Sequence, residues 1–414
     1  MSTYLTPGVY IEEVSTGARP IEAVGTSTAA FIGVGPNAQE HVNEAVAINN
    51  KSEFMKEFAE GASSSTPLMQ AVMGFFDNGG GRCYVVNIGR NGSVGGGAGG
   101  RKGVDVLETV DEVAIVAAPG YSDPISYDAL LSHCEKMKDR VAILDPPKEV
   151  DEIDRLTEVA TAGATESSSS EGESEGEEGE EEKKKKKKSS SGKGGLRPRI
   201  SDEGYGALYF PWITVKDPMD PTRLINVPPS GHMAGIYART DADRGVHKAP
   251  ANEPIAGALD VTYRLTHEEN GLLNSNGINC IRFFPREGIR VWGARTLAPS
   301  ANEWRYLNVR RLFNMIEESI AQATRWVVFE PNDETLWKAV TRDCKAFLTN
   351  IWRDGALMGA TPEQAFFVKC DAETNPPEVV DAGRMVVVIG IAPVKPAEFI
   401  IFQIGQQASG AEIS

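Results

Sequence analysis

The sequence has few of the residues from which disulfide frameworks and metal sites are built. Its 414 residues include five cysteines, which lie far apart without a C-x-x-C pair, and five histidines without an H-E-x-x-H motif or i, i+4 spacing. A disulfide scaffold needs paired cysteines, and common zinc motifs hold their ligands at short regular spacings. We therefore expect reduced, mostly buried cysteines and neither a metal nor a cofactor.

Long apolar runs and a secretory leader are also missing. A membrane-spanning helix needs about 20 apolar residues, whereas the longest apolar stretches are Met385–Val394 and Glu398–Gly405. Glu12 and Glu13 come where a leader would carry basic and then apolar residues. We therefore expect assembly in the cytoplasm and no direct insertion into a membrane.

Excess positive charge is absent as well. The formal net charge is −16. Between Gly163 and Ile200, nine glutamates are balanced by seven lysines and two arginines, so the remaining residues carry the whole net charge. Nonspecific nucleic-acid binding depends on a basic surface, so this class of function is not expected.

One segment has almost no apolar residues. Residues 161–202 contain long runs of serine, glycine, glutamate and lysine, including Lys183–Lys188. Such a composition cannot bury enough apolar surface to offset the entropy of ordering the chain. We interpret the segment as a disordered insertion in a surface loop.

The glycine-rich stretch Gly95–Gly100 formally matches the G-x-G-x-x-G pattern of dinucleotide-binding loops. Such a loop binds phosphate only when it opens an α-helix whose first N–H groups face the anion. The following residues, RKGVDVLETVDEVAIV, predict another strand instead. A flexible connector is therefore the favoured interpretation, and a nucleotide-binding α/β enzyme is the alternative function.

Other candidate chemistry is weak. Pro229–His232 (PSGH) brings a serine near a histidine only along the chain, which predicts a turn and not a catalytic triad. In RTDADRG, Asp241 and Asp243 alternate with Arg239 and Arg244, a pattern typical of an ion-pair network at a loop or an interface. We assign no catalytic residues.

Strand-like and helix-like segments alternate from TAAFIGVG to VAILDPP. Apolar strands separated by helices predict a parallel or mixed sheet that helices cover. After the insertion, GLLNSNGINCIRFFPREGIRVWGART predicts a β-meander, which two helices and terminal strands follow. The expected fold class is α/β, with mixed α+β character.

The first strand, within TPGVYIEEV at Thr6–Val14, lacks a local partner because the next residues, STGARP, form neither a tight turn nor a second strand. The last strand, in AEFIIFQIGQ, is apolar on both faces. An exposed strand of this kind promotes aggregation, so we expect it to be covered on both sides. From the residues alone, pairing within the chain's own sheet is the favoured interpretation for both strands.

Seven stretches in order resemble the tail sheath proteins of contractile phages and related contractile injection systems. They cover most of the chain outside the insertion: TPGVYIEEV, PWITVKDP, VPPSGHMAGIYARTDADRGVHKAPAN, VWGART, YLNVRRL, FEPND and PAEFIIF. The resemblance implies a structural protein that forms stacked hexameric rings, and thus a helical homo-oligomer, around an inner tube protein. It also implies baseplate and terminator or cap proteins as partners, in a phage tail, an extracellular particle or a membrane-anchored system. Contraction would drive the tube through a target envelope.

The resemblance further implies that both terminal strands are donated to neighbouring subunits, which reverses the preference drawn from the residues alone. The donated residues would be Val9, Tyr10, Ile11 and Val14 at one end and Phe399, Ile400, Ile401, Phe402 and Ile404 at the other. The receiving strand would contain Met385, Val386, Val387, Val388 and Ile389. Our hinge candidates are Gly17, Pro20, Pro393 and Pro396, and our candidate interface charges are Arg239, Asp241, Asp243, Arg244, Arg310 and Arg311.

We expect three parts of the chain: an N-terminal exchange arm at 1–24, an outer α/β domain at 25–262 that carries the insertion, and an inner C-terminal α/β domain at 263–414 that includes an exchange strand at 396–408. A static shell or tube protein with the same strand exchange is a further possibility. Hollow striated cylinders would favour the sheath, and nucleotide-binding monomers would favour the enzyme.

Overall fold

The structure, a computed structural model, describes residues 20–97, 99–161 and 194–401. The contacts between residues divide them into two units. The larger unit contains residues 26–311 and 394–401, and the smaller unit contains residues 20–25 and 312–393. The expected boundary at 262/263 therefore falls inside the larger unit, because strands on both sides of it belong to one sheet.

The strands form three sheets. They are β1 (Ala29–Gly33), β2 (Ala45–Ile48), β3 (Cys83–Asn87), β4 (Ile115–Ala117), β5 (Val141–Leu144), β6 (Gly206–Phe210), β7 (Ile213–Lys216), β8 (Leu224–Val227), β9 (Asp260–Val261), β10 (Ile278–Phe284), β11 (Gly288–Trp292), β12 (Phe366–Lys369) and β13 (Val388–Ile391).

The helices are α1 (Lys51–Phe58), α2 (Pro67–Asp77), α3 (Pro124–Met137), α4 (Ser230–Arg244), α5 (His267–Ser275), α6 (Leu307–Ala323), α7 (Glu334–Arg353), α8 (Pro362–Ala365) and α9 (Pro377–Asp381). Short 3₁₀ helices lie at Gly103–Thr109, Ile153–Thr157, Glu303–Arg305 and Arg325–Val327.

The largest sheet has eight strands in the order β11-β10-β6-β5-β4-β1-β3-β2. The six strands from β10 to β3 are parallel to one another, and the two outermost strands, β11 and β2, pair antiparallel with their neighbours. The sequence prediction of a mixed α/β fold is therefore confirmed.

Side chains alternate between two apolar layers on the opposite faces of this sheet. In β1, Ala29 and Phe31 pack in one layer with α1, α2 and α4, whereas Ala30 and Ile32 pack in the other with α3. Alternation follows from the two-residue period of a strand. Because helices cover both faces, the central strands are buried and almost entirely apolar, with Asn87 at the end of β3 as an exception.

Side-chain caps fix where several helices begin. Thr66 accepts a hydrogen bond from the backbone N–H of Met69 at the start of α2. Thr266 and Glu269 form a reciprocal capping box at the start of α5. In SYDALLSHCEKMKDR the pattern predicts a helix that begins at Ser126, but α3 begins at Pro124, two positions earlier, and Asp123 caps it, because a proline is well suited to the first turn.

Two expected strand patterns differ in the structure. The pattern of GALYFPWITVKDP predicts one strand leading into a proline-rich loop, but the stretch forms two strands, β6 and β7, which lie in different sheets and are separated by a cis peptide bond between Phe210 and Pro211. The expected β-meander is the single hairpin β10–β11, since the first residues of that stretch complete the helix α5. The apolar spacing of GLLNS suits either element, and the capping box favours the helix.

The two ends of the low-complexity insertion are paired with each other. Val159 and Arg197 form a parallel bridge. The N–H of Arg197 donates to the carbonyl of Glu158 at 2.9 Å, and the N–H of Ala160 donates to the carbonyl of Arg197 at 2.7 Å. These hydrogen bonds hold the two ends of the insertion side by side. Residues 162–193 of the insertion lie outside the described part of the chain.

In the smaller unit, α7 packs against β12, which pairs antiparallel with β13. Asp333 caps α7 by accepting a hydrogen bond from the N–H of Leu336. The buried apolar residues of α7 lie on one face of the helix, as an amphipathic helix requires: Leu336, Trp337, Val340, Cys344, Phe347, Leu348 and Ile351.

Candidate assembly surfaces

The C-terminal segment is anchored to the larger unit by a buried ion pair. Arg295 donates from Nε and Nη2 to the two carboxylate oxygens of Glu398 at 2.8 and 2.7 Å. The Tyr306 hydroxyl donates to the same carboxylate at 3.1 Å, and Arg295 Nη1 donates to the Asn274 carbonyl at 3.0 Å. Sequence reasoning missed this anchor, because its charged partners lie about 100 residues apart.

The carboxyl group of Glu398 stays ionised in this setting. Burial alone would raise its pKa, but hydrogen bonds and charge attraction from Arg295, together with Tyr306, outweigh burial and hold the pKa below its ordinary value. The geometry is bidentate, which is the strongest arrangement for an arginine–carboxylate pair.

Immediately after this anchor the chain exposes three large apolar side chains. Phe399, Ile400 and Ile401 have exposed fractions of 74%, 73% and 82%. They belong to no strand in the structure, and the other two expected members of the donated strand, Phe402 and Ile404, lie outside the described residues. Consecutive side chains of a strand point to opposite faces, so only a partner that covers both faces would bury all three.

The N-terminal strand lies outside the described residues, as do its members Val9, Tyr10, Ile11 and Val14 and the hinge candidate Gly17. The described chain starts at Pro20, which is exposed. Within the smaller unit, the N–H of Val24 donates to Ser319 Oγ of α6 at 3.0 Å, so this part of the chain is held just before the larger unit begins.

The first residue of the larger unit is held by a second buried ion pair. Arg311 donates from Nη1 and Nη2 to the Asp241 carboxylate at 2.9 and 2.5 Å and from Nη2 to the Thr26 carbonyl at 3.0 Å. The Thr26 hydroxyl donates to Asp241 at 2.6 Å. The guanidinium of Arg311 also lies 4.8 Å from the centre of the Tyr237 ring.

This geometry corrects the reading of the RTDADRG charges. The stretch lies at the end of α4 and not in a loop, and Asp241 pairs with Arg311 of α6, not with Arg239 or Arg244. Arg239 instead donates to the backbone carbonyls of Asn78 and Pro254. Asp243 and Arg244 are exposed and remain candidates for interface charges.

The other two candidate interface charges are not on the surface of the subunit. Arg310 and Arg311 are only 2% and 3% exposed. The guanidinium of Arg310 lies 4.1 Å from the centre of the Trp304 ring and 4.8 Å from that of Tyr205. Reversing either charge would therefore perturb the subunit itself before it changed a contact between subunits.

The expected receiving strand is only partly a strand. Met385, Val386 and Val387 precede β13, whereas Val388 and Ile389 belong to it. β13 pairs with β12 on one side, and no other described strand pairs with it.

The surface of the two-stranded sheet β12–β13 is partly apolar. Phe367 of β12 and Val388 of β13 are exposed, and so is Val386 just before β13. The ring of Phe367 lies over Gly390, its cross-strand partner, so closely that a Cβ at Gly390 would stand 2.2 Å from the ring.

The two proline hinge candidates have different surroundings. Pro393 is the last residue of the smaller unit and bridges to Leu357. Pro396 lies between two anchored positions, since Val394 accepts a hydrogen bond from Asn308 at 3.1 Å and Glu398 binds Arg295.

The PSGH stretch begins α4 and is not a turn. Ser230 donates from its backbone N–H and its hydroxyl to Asp145, the residue after β5, at 2.9 and 2.6 Å. Burial raises the pKa of Asp145 to about 6, although hydrogen bonds from Ser230 and Gly120 oppose this rise. His232 is buried, and its ring fills the space above Gly74. These side chains join a strand to a helix in the core.

The glycine-rich loop has no helix suited to phosphate. It leads into the 3₁₀ helix Gly103–Thr109 and then into β4, not into an α-helix. Gly96, Gly97 and Gly100 have positive φ angles, which only glycine adopts readily. The described loop residues thus connect β3 to the 3₁₀ helix, and the nucleotide-binding alternative gains no support.

Comparison with known proteins decides the family. Residues 201–297 match the model of the phage tail sheath protein central domain, and residues 300–407 match that of the phage tail sheath C-terminal domain. The chain is 30% identical to the sheath of PVC, an extracellular contractile injection system solved in the contracted state; the match covers 98% of this chain and 99% of the other, with a TM-score of 0.73. The chain belongs to the contractile tail sheath family.

Other members of the tail sheath family are similar. A chain in the baseplate structure of the anti-feeding prophage is 28% identical, with 98% and 100% of the two chains covered and a TM-score of 0.72. The tail sheath protein of Vibrio phage KVP40 is 30% identical over 191 residues, which are 45% of this sheath chain but only 28% of the phage protein. The match thus spans less than a third of that curated relative.

Among the described helices of the sheath chain, none combines the length and the hydropathy that crossing a bilayer requires.

Proposed function

We propose that this chain is the structural subunit of a contractile sheath, which polymerises as stacked hexameric rings around an inner tube protein. Contraction of the sheath would drive the tube through a target envelope, with a baseplate as the trigger and a terminator or cap protein at the far end. The role is mechanical and needs no catalytic residue. The PVC sheath, which was solved in a contracted state, supports this proposal by similarity.

The proposal rests on one observation: an exposed apolar segment directly follows a residue that is anchored by an ion pair. Arg295 and Tyr306 hold Glu398, and the next three residues, Phe399–Ile401, are exposed and apolar. A strand that is apolar on both faces is unstable in water and needs a sheet to join. A neighbouring copy of the same chain is the partner that we propose, because heterologous contacts between identical subunits build open helical stacks.

The edge of β13 is the acceptor that we propose for a donated strand. β13 has a partner on one side only among the described strands, and the apolar side chain of Val388 lies exposed on it, as does that of Val386 in the segment just before it. Strand addition uses main-chain hydrogen bonds for affinity and side-chain pockets for register. The N-terminal strand at Val9–Val14 would join the same sheet from another subunit.

Contraction requires two packings of the same subunits, of which the contracted one has the lower free energy, with a barrier between them. Strand exchange would keep the subunits connected while their bodies rotate. Pro393 at the unit boundary and the residues around Pro20 are the hinges that we propose. Asp243 and Arg244 are exposed charges whose neighbours would differ between the two states.

The test is whether subunits still assemble when the apolar segment is made polar. Purified full-length protein should form hollow striated cylinders in negative-stain electron microscopy. The triple variant Phe399→Ser, Ile400→Ser, Ile401→Ser should stay folded by circular dichroism but form no cylinders, because its segment no longer gains free energy from burial in a neighbour.

The matched control removes exposed apolar side chains elsewhere. Ile125 and Leu224 are exposed on the larger unit, and the variant Ile125→Ser, Leu224→Ser should assemble normally. Cylinders formed by the triple variant at the wild-type concentration would contradict strand donation. Dispersed wild-type monomers would contradict the sheath function itself.

A further inference from the structure

A tight turn shortly after α6 holds an aromatic residue in a backbone conformation that favours glycine. The N–H of Glu330 donates to the carbonyl of Val327 at 3.1 Å, so residues 327–330 form a β-turn. Val328 has φ −65° and ψ 126°, and Phe329 has φ 71°, which are the angles of a type II turn. The third position of such a turn favours glycine, because other side chains are strained at positive φ. Phe329 is therefore a residue that the turn itself disfavours.

Burial within the subunit does not compensate for this strain. Phe329 is fully exposed (101%), and Val328 is 63% exposed. The chain that follows the turn is nevertheless held in place, since Asn332 donates to the carbonyl of Arg384 and accepts from the indole N–H of Trp337, both at 2.7 Å. The turn thus presents a preordered apolar side chain to the solvent.

Glu330 places a negative charge beside the exposed ring. It is exposed, and its carboxylate forms no hydrogen bond or ion pair with a described residue. A surface that combines aromatic rings with arginine would complement both the ring and the carboxylate. We refer to Val328, Phe329 and Glu330 as the apolar–acidic turn.

The hairpin β10–β11 carries a surface of that kind. Arg282 of β10 lies directly opposite Arg290 of β11, and the register places Phe284 and Trp292 on the same face of the hairpin. The ring centres of Phe284 and Trp292 are 4.7 Å apart, and Trp292 is 40% exposed. We refer to these four side chains as the arginine–aromatic face.

This face carries a positive charge that the subunit leaves unpaired. Like charges directly opposite each other on two strands destabilise the pair. Arg290 is partly neutralised by Glu287 at 3.1 Å. The guanidinium of Arg282 lies 5.5 Å from the centre of the Phe284 ring and forms no ion pair with a described residue. In a chain of net charge −16, a carboxylate from a partner would relieve this repulsion.

We propose that the apolar–acidic turn of one subunit docks on the arginine–aromatic face of a second copy of the same chain. Phe329 would stack on the exposed part of Trp292, and Glu330 would pair with Arg282. The two surfaces differ, so the contact is heterologous and can repeat along a helical stack. The inference rests on the proposed sheath function and adds a contact that is separate from strand exchange.

The first test measures stability and assembly in the same variant. Phe329→Gly removes the ring but suits the turn, so its unfolding midpoint in urea should equal or exceed that of the wild type. The critical concentration at which the sheath chain alone forms cylinders, measured by sedimentation and negative-stain electron microscopy, should rise about tenfold or more. The reason is that a large aromatic side chain is no longer buried in a neighbour.

The matched control relieves the same backbone strain elsewhere. Lys138 is also exposed and has a positive φ of 65°. Lys138→Gly should assemble at the wild-type concentration, because no proposed contact is lost. Loss of cylinders in Lys138→Gly would show that the assay reports backbone changes in general, which would overturn the reading of Phe329→Gly.

A charge swap tests which surface the turn contacts. Every subunit carries both surfaces, so two substitutions in one chain exchange both charges of the contact. Glu330→Arg and Arg282→Glu should each raise the critical concentration about threefold or more. The double variant should recover most of this loss, because it restores an opposite-charge pair.

The outcomes separate this contact from the sheath function. Cylinders formed by Phe329→Gly at the wild-type concentration, or no recovery in the double variant, would overturn the proposed contact. Variants that assemble normally alone but fail with an inner tube protein present would assign the turn to that protein and also overturn it. Wild-type chains that form no cylinders would contradict the sheath function itself, and this contact with it.

Discussion

The ion pair between Arg295 and Glu398 makes a quantitative prediction about how firmly the C-terminal segment is held. Fully exposed ion pairs contribute about 0–1 kcal/mol, and breaking a fully buried pair costs about 3–5 kcal/mol. The side chains of Arg295 and Glu398 are 8% and 16% exposed and share two short hydrogen bonds. We therefore expect a coupling free energy of about 2 kcal/mol between the two side chains.

The assay is a double-mutant cycle with Arg295→Gln, Glu398→Gln and the double variant, in which the free energy of unfolding in urea is measured for unassembled subunits. The control cycle uses Glu334 and Lys338 on α7, which are 74% and 77% exposed; their coupling should be only about 0.3–0.5 kcal/mol. A coupling for Arg295 and Glu398 that is no larger than this control would refute the argument that the anchor is strong.

The same cycle has a predictable pH dependence. The pKa of Glu398 in the folded protein lies below its ordinary value of 4.5. The coupling should therefore be complete above about pH 4.5 and decline as the pH falls through the lower folded-state pKa, because protonation removes the negative charge. If the coupling free energy instead declined between pH 6 and 8, a group other than Glu398 would be responsible for its pH dependence.

Three further changes test other parts of the fold. Arg311→Glu should lower the free energy of unfolding by about 3–5 kcal/mol, because it places a carboxylate against Asp241; unchanged stability in urea would contradict the burial of this pair. Gly390→Ala should cost about 1–3 kcal/mol by displacing the ring of Phe367, and this cost should largely disappear in a Phe367→Ala background. Replacing residues 163–193 by a short Gly-Ser linker should change stability by less than about 0.5 kcal/mol and leave cylinder formation intact; loss of cylinders would show that the insertion takes part in assembly.

Much of the fold could be predicted because the local signals were consistent with the tertiary structure. The strands that contain Phe31 and Val85 could be recognised as apolar runs in the sequence. Helices cover both faces of the sheet, so side chains on both sides of these strands are buried. The start of α3 was misplaced because the cap lies before a proline, and the 3₁₀ helix after the glycine loop was missed because seven residues give too little periodicity. Helix and strand patterns are ambiguous over such short lengths.

The side-chain pairs that organise the candidate surfaces could not be predicted from local spacing. Arg295 and Glu398 are about 100 residues apart, and Asp241 finds its partner in Arg311, 70 positions away, although arginines stand beside it in the sequence. Sequence patterns indicate elements, but the packing of those elements decides which charges meet.

The bridge between Val159 and Arg197 has a practical consequence for engineering. The cost of closing a loop grows only slowly with its length, by about 0.6 kcal/mol for each doubling. A fluorescent protein or an enzyme grafted between these two residues would therefore add little strain to the host fold. In a repeating cylinder every subunit would carry one graft, so the bridge offers a site for displaying a passenger protein at the regular spacing of the lattice.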